Sequence, residues 1–233
     1  MRLRVLAAAL STSFLVAACG GGEMAGSETA SEVAPTPMPA PMPAVPATAS
    51  DAPPLTTNDD SLLAEPTWAV LFAGHDLMSF NTIGGANWRL ADGVIQADGG
   101  EPGWLVTKGA YTDFRIQVEF QASSDTNSGV FIRCEDPNDV SAERCYEINV
   151  FDLNENPNNR TGGIINLAPP GVSVLAGDEW NTLDITAEGD RLTVRFNDMV
   201  TVDVQDEKHA RGYIGLQYNS GPIKIREVRI RPL

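Results

Sequence analysis

Apolar and polar residues alternate with a period of two over much of the chain from Trp88 onward. The segment 114–120 places its four apolar residues on one face and Arg115, Gln117 and Glu119 on the other. Such alternation predicts β-strands that bury one face, and the Gly and Asn/Asp pairs between the apolar runs predict tight turns. Apart from a short helix considered at 138–144, no segment beyond the first residues favours a helix. The pattern predicts an all-β sandwich or barrel.

Two segments, 128–133 and 146–152, are apolar on both faces with charges inserted. Strands covered on both sides of a sheet have this composition. If Ile132 and Ile148 face the core, Arg133 and Glu147 share the opposite face. We therefore expect Arg133 beside Glu147, either at a ligand site or as an ordinary cross-strand pair.

The first nineteen residues have the pattern of a bacterial lipoprotein signal. Arg2 and Arg4 precede an apolar run at 5–16, which is shorter than the roughly 20 residues that a membrane-spanning helix needs. Small residues then lead to Cys19. We predict a signal peptide at 1–18, lipid attachment at Cys19 and an extracytoplasmic, membrane-anchored location, with the outer membrane or periplasm favoured. An ordinary signal peptide followed by a chance cysteine is the alternative.

A Pro-rich segment follows the predicted lipidation site. Residues 20–66 hold nine prolines, mixed with Ala, Ser, Thr and Gly. This composition buries too little apolar surface to fold, so we predict a tether at 19–66. The remaining 67–233 has the usual size of one domain.

The two other cysteines, Cys134 and Cys145, form an even pair in the predicted oxidising compartment, which favours a disulfide. In regular strands that pair Arg133 with Glu147 they would lie on opposite faces. A disulfide therefore requires that the strands end near 133 and 146, or that one contains a bulge. The chain has no CxxC pair, and His75 and His209 are far apart, so neither a metal site nor a cofactor is expected.

The charge balance narrows the range of partners. The whole chain carries a formal charge of -15, and 67–233 contains 24 acidic and 14 basic residues with no basic run. Nucleic acids and anionic lipids are bound through clustered Lys and Arg, so neither is an expected ligand. A neutral ligand is compatible with this composition.

Several ordered motifs resemble one family. They are WAVLFAGHDL at 68–77, NSGVFIR at 127–133, YEINVFD at 146–152 and GYIGLQ at 212–217. In this order they are similar to the 3-keto-disaccharide hydrolase family. The resemblance implies a concanavalin-like jelly roll of two antiparallel sheets with a concave ligand face, and hydrolysis of 3-keto-disaccharides or related glycosides whose sugar carries a ketone at C3. Asn166 and Asn219 stand where family members often have Tyr and His.

The resemblance and the strand pattern suggest site residues. A 3-keto group acidifies the C2 hydrogen, so Glu147 could act as acid/base and Arg133 could stabilise charge on the carbonyl oxygen. Direct hydrolysis would need a second carboxylate, Asp152 or Glu119. The candidate substrate-binding residues are Asn127, Asn149, Glu119, Gln117, Trp104, Gln217 and Tyr218. A non-catalytic, lectin-like carbohydrate-binding lipoprotein and an envelope protein with a protein ligand are the alternatives.

Overall fold

The computed structural model describes residues 67–233. The predicted signal peptide, the lipidation of Cys19 and the tether lie outside the described residues. Within 67–233, no helix has the length and apolar character needed to cross a membrane.

Thirteen strands make up most of the described chain. They are β1 (Ala69–Phe72), β2 (Phe80–Ala86), β3 (Arg89–Ala91), β4 (Val94–Ala97), β5 (Gly100–Thr107), β6 (Phe114–Ala122), β7 (Asn127–Cys134), β8 (Tyr146–Val150), β9 (Trp180–Glu188), β10 (Arg191–Phe196), β11 (Met199–Gln205), β12 (Tyr213–Ser220) and β13 (Ile223–Pro232). One 3₁₀ turn spans Pro157–Asn159. The short helix considered at 138–144 is not formed, and this segment consists of turns and irregular chain.

The strands form two antiparallel sheets, which confirms the all-β class. The eight-stranded sheet has the order β11-β10-β9-β6-β13-β4-β3, and β1 also pairs with β13. The five-stranded sheet has the order β2-β5-β12-β7-β8. The fold is a jelly roll of the expected type.

The core lies between the two sheets and follows from the alternation in each strand. In β6, for example, every second residue from Phe114 to Ala122 is buried. Phe120 packs edge-to-face against Phe196 with ring centroids 6.2 Å apart. Each large apolar side chain buried in this way stabilises the fold by about 1.5–3 kcal/mol. The tight turn between β10 and β11 uses Asn197 and Asp198, both at positive φ, as two-residue hairpins require.

A bulge in β7 shapes the end of the five-stranded sheet. Phe131 pairs with Gly215 and Cys134 with Tyr213, so two residues of β7 lie opposite one residue of β12. Arg133 occupies the bulge at φ 53. The bulge brings Cys134 into the same buried cluster as Phe131 and Cys145, and Cys134 is disulfide-bonded to Cys145 with a Cα–Cα distance of 4.3 Å.

Candidate functional site

The outer face of the five-stranded sheet carries half of the ten predicted catalytic and binding residues, namely Glu147, Trp104, Gln217, Asn149 and Asn127. On each strand, alternate residues face the core and the others point outward. Because the strands pair in register, the outward residues form two rows across the sheet. One row is Ile83, Trp104, Gln217, Gly129 and Asn149, and the other is Asn81, Val106, Gly215, Phe131 and Glu147.

Gly129 leaves a hollow between two polar side chains of this face. A Cβ atom placed on Gly129 would lie 3.6 Å from Cγ of Glu147 and 3.7 Å from Oε1 of Gln217. The same Cβ would lie 3.0 Å from the Ile148 carbonyl oxygen, which is tighter than an ordinary contact, so the space between the Glu147 side chain and the Gln217 amide is smaller than a methyl group needs. The absence of a side chain at Gly129 therefore leaves a small gap between Glu147 and Gln217, which we call the hollow.

Glu147 is half-buried and lacks a compensating partner. Burial, followed by repulsion from the Glu143 carboxylate, raises the pKa of Glu147 from 4.5 to about 7. Within 67–233 no hydrogen bond or cation offsets the loss of water around the carboxylate. A carboxyl group with a pKa near neutrality can both accept and donate a proton under ordinary conditions, as a general acid/base must.

Two further polar atoms near the hollow are buried without a partner among the described residues. They are Oε1 of Gln217 and Nε1 of Trp104. The Trp104 ring packs edge-to-face against Phe131, with centroids 6.2 Å apart. Buried polar atoms usually find hydrogen bonds. Trp88 Nε1, His209 Nε2 and Arg231 Nε are also unpaired elsewhere in 67–233, so these two atoms do not by themselves mark a ligand site.

Two loops flank Glu147. The loop closed by the Cys134–Cys145 disulfide folds back over the outer face, where Val140 lies 3.4 Å from a Cβ position on Gly215. On the other side, residues 162–165 run along the free edge of β8, and the Ile165 amide donates to the Glu147 carbonyl over 2.9 Å. The edge of β8 is therefore covered, which explains why this strand has the composition of a central one.

The prediction that Arg133 lies beside Glu147 is wrong. Phe131, not Arg133, pairs with Glu147. The Arg133 guanidinium is buried and donates to the carbonyls of Thr112, Gly189 and His209 and to the Asp113 carboxylate. The β-bulge redirects this side chain, so Arg133 holds three loops together instead of facing a ligand.

Asp152 is also structural, in contrast to its predicted catalytic role. It is 5% exposed and accepts hydrogen bonds from the Thr161 hydroxyl and from the amides of Ala176 and Gly177. These bonds tie together the long connection between β8 and β9. With its oxygens engaged in this way, the carboxylate serves as a loop anchor.

Three predicted binding residues do not lie on the outer face of the five-stranded sheet. Gln117 and Glu119 point outward from the eight-stranded sheet, on the opposite side of the molecule, where they bond Arg229 and Arg226. Tyr218 faces the core and packs edge-to-face against Trp88. The alternation predicts correctly which residues of a strand share a face. It does not show which face of which sheet binds a ligand.

Gln217, Trp104 and Asn149 lie on the outer face of the five-stranded sheet, and Asn127 belongs to it by alternation. The Asn149 side chain is buried, and its amide donates to the carbonyl of Asn159. It therefore positions a loop next to the hollow, while Gln217 keeps an unpaired oxygen.

The predicted site omitted Gly129 and Glu143. A glycine inside a strand often marks the close approach of a ligand or of another chain segment, so the sequence contained a signal for Gly129. Glu143 lies in an irregular loop, and no pattern in the sequence places its charge near Glu147.

Comparisons with known proteins agree with this fold. A model of the 3-keto-alpha-glucoside-1,2-lyase-like domain matches residues 67–231. None of the curated proteins matches the chain.

Solved structures show the same architecture. A candidate glycosyl hydrolase from Parabacteroides distasonis is 25% identical, with a TM-score of 0.61 over 72% of this chain and 100% of its own. A second one from that organism is 17% identical, with a TM-score of 0.63 over 77% and 98%. The carbohydrate-binding module CBM66 from Bacillus subtilis is 17% identical, with a TM-score of 0.52 over 69% and 96%.

Proposed function

Because this chain belongs to the 3-keto-alpha-glucoside-1,2-lyase-like domain family, we propose that it cleaves 3-keto-glycosides at the hollow over Gly129, with Glu147 as the acid/base. The observation that carries the proposal is the unpartnered Glu147 carboxyl, whose pKa is raised to about 7. The 25% identity to a candidate glycosyl hydrolase supports a carbohydrate substrate.

We propose elimination rather than direct hydrolysis, because neither of the two carboxylates predicted as a partner for Glu147 lies beside it. Direct hydrolysis uses two carboxylates on either side of the scissile bond, about 5–10 Å apart. Asp152 is fully engaged by a loop and Glu119 lies on the other sheet, so neither can pair with Glu147. Elimination needs one base at C2, which Glu147 alone can supply.

In the proposed reaction, Glu147 alone accepts and then returns the one proton that is transferred. The Glu147 carboxylate removes the C2 proton, and the electrons of that C–H bond pass through the enolate of the C3 ketone to form the C1–C2 double bond. The bond between C1 and the glycosidic oxygen breaks, and protonated Glu147 returns the proton to the leaving oxygen. The Gln217 amide could donate to the enolate oxygen while charge develops there. Addition of water across the double bond then gives the free 3-keto sugar.

Turnover of a 3-keto-glucoside tests the assignment. We expect Glu147→Gln to lower kcat/KM by about 10²–10⁴, because glutamine cannot accept the C2 proton. Deuterium at C2 should slow the wild-type reaction if that bond breaks in the limiting step. Glu101→Gln is the matched control, since Glu101 is exposed at the far end of β5.

The outcome also separates catalysis from binding. Equal turnover by wild type and Glu147→Gln would remove Glu147 from the mechanism. Binding of the 3-keto-glucoside without any turnover would favour the carbohydrate-binding alternative, which Asn at positions 166 and 219 leaves open.

We further propose that the domain acts outside the cytoplasm, attached to a membrane through lipid on Cys19. Incorporation of a labelled fatty acid into the wild type, and its loss in Cys19→Ala, would support this location. Labelling that persists in Cys19→Ala would contradict it.

A further inference from the structure

Gln217 and Glu147 approach each other across Gly129, although their strands do not pair. Gln217 is on β12 and Glu147 is on β8, with β7 between them. Neighbouring strands are about 4.8 Å apart, so a side chain of the middle strand normally separates residues two strands apart. Gly129 has none, and its Cβ position lies 3.6 Å from Cγ of Glu147 and 3.7 Å from Oε1 of Gln217. Those two atoms are therefore at most about 7 Å apart, and each carboxyl oxygen lies about 2.4 Å beyond Cγ. Rotation of the Glu147 side chain can bring its carboxyl group within hydrogen-bond distance of the amide oxygen.

Each of these two groups lacks what the other can supply. The Gln217 side chain is 9% exposed, and its Oε1 has no hydrogen-bond donor within 67–233. A buried acceptor without a donor lowers the stability of the fold. Glu147 has a pKa of about 7, so near neutral pH a large share of its carboxyl groups carries the O–H that such an acceptor needs.

The other neighbours of Glu147 include little charge. The Glu143 carboxylate, from the loop that the disulfide closes, is the one charge within 67–233 that shifts the pKa of Glu147, and as a like charge it disfavours the ionised form. From β7 the paired residue is Phe131, and along the free edge of β8 the neighbour is Ile165, neither of which titrates. The Gln217 amide is therefore the uncharged polar group across the gap that can set how firmly the proton is held.

We propose that Gln217 is the positioning residue for the proton of Glu147, with its Oε1 accepting the O–H of the protonated carboxyl group across Gly129. This bond fixes the orientation of the amide and turns its Nε2 away from Glu147, so that the Nε2–H donors remain available to a ligand. The catalytic meaning of the pair rests on the proposed function, in which Glu147 returns this proton to the leaving oxygen. The bond itself forms without substrate, and it can be measured without turnover.

Titration of Glu147 by NMR in the full chain labelled with ¹³C-glutamate tests the bond, and the Glu147 signal is the one that Glu147→Gln removes. A hydrogen bond to the neutral form raises a pKa. Gln217→Met, which keeps the length of the side chain and lacks Oε1, should therefore lower the pKa of Glu147 by about one unit. Gln217→Glu places a second carboxylate across Gly129 and should raise that pKa instead. Gln205→Met is the matched control and should shift nothing, because Gln205 is exposed on β11 of the other sheet.

An unchanged pKa of Glu147 in both variants would refute the pairing. A higher pKa in Gln217→Met would also overturn it, because the amide would then be donating to the ionised carboxylate. Gln217→Asn, which withdraws the oxygen by one methylene group, should lower the pKa as well and replaces Gln217→Met if that variant does not fold. With a 3-keto-glucoside, the pH below which kcat/KM declines should move in the same direction as the pKa. If the wild type showed no turnover while the pKa shifts appeared, the proposed function would fail and the pairing would stand.

Discussion

Replacing Glu147 with Gln should stabilise the protein at high pH and leave its stability at low pH almost unchanged. The fold raises the pKa of Glu147 from 4.5 to about 7, mainly through burial. The folded state therefore holds a proton that the unfolded chain releases between pH 4.5 and 7. In that window the stability falls as the pH rises, because ionisation favours the unfolded state.

The magnitude follows from the difference between the two pKa values. A shift of this size corresponds to about 3 kcal/mol of stability lost by pH 8 and to almost none at pH 4. Glu147→Gln removes the ionisation and should recover most of this energy at pH 8. The gain is an upper estimate, since glutamine introduces an amide that also needs hydrogen-bond partners.

Urea unfolding at pH 4 and pH 8, with the disulfide kept oxidised, measures the effect. The difference in unfolding free energy between Glu147→Gln and wild type should grow by about 3 kcal/mol between the two pH values. Glu101→Gln should show no comparable growth. Glu143→Gln should give a smaller gain, because it removes only the repulsion and leaves the burial. A difference independent of pH would show that Glu147 is not desolvated in the folded protein.

Three further predictions follow from the same contacts. Arg133→Met should lower the unfolding free energy by roughly 3 kcal/mol, because three carbonyls lose their donor, and an unchanged denaturation midpoint would contradict that structural role. Replacing Cys134 and Cys145 together by Ala should lower the unfolding free energy by about 3 kcal/mol, as expected for a disulfide that closes a short loop. Reduction of the wild type should lower its unfolding free energy by a similar amount, and a much smaller decrease would argue against the disulfide. Gly129→Ala places a Cβ beside Glu147 and 3.0 Å from the Ile148 carbonyl oxygen, and should raise KM for a 3-keto-glucoside in a variant whose denaturation midpoint is unchanged; an unchanged KM would place the substrate elsewhere.

The sequence determined the fold class and much of the strand inventory. Alternation in the segment at 114–120 directly specifies which side chains enter the core, because successive residues of a strand point to opposite faces. The Asn197–Asp198 turn was predictable for a similarly local reason, since these residues tolerate positive φ. The limits of β7 and β8 also agree with the expected ends near 133 and 146.

The sequence also brought Glu147, Gln217 and Trp104 forward as candidates, and the structure places them on one face of the sheet. Periodicity assigns each residue to a side of its own strand, but it does not show which sheet that strand joins. Glu119 illustrates this limit, because its alternation is correct and yet it points from the opposite sheet.

The tertiary structure alone decided the position of Arg133. One extra residue in β7 reverses the direction of every side chain beyond the bulge, so a strictly alternating interpretation fails at that point. The pKa of Glu147 likewise depends on burial and on the Glu143 carboxylate of the disulfide loop, neither of which the alternation of a strand specifies. Local pattern fixes strands and faces, whereas burial, charge neighbours and the packing of loops arise only when the strands assemble.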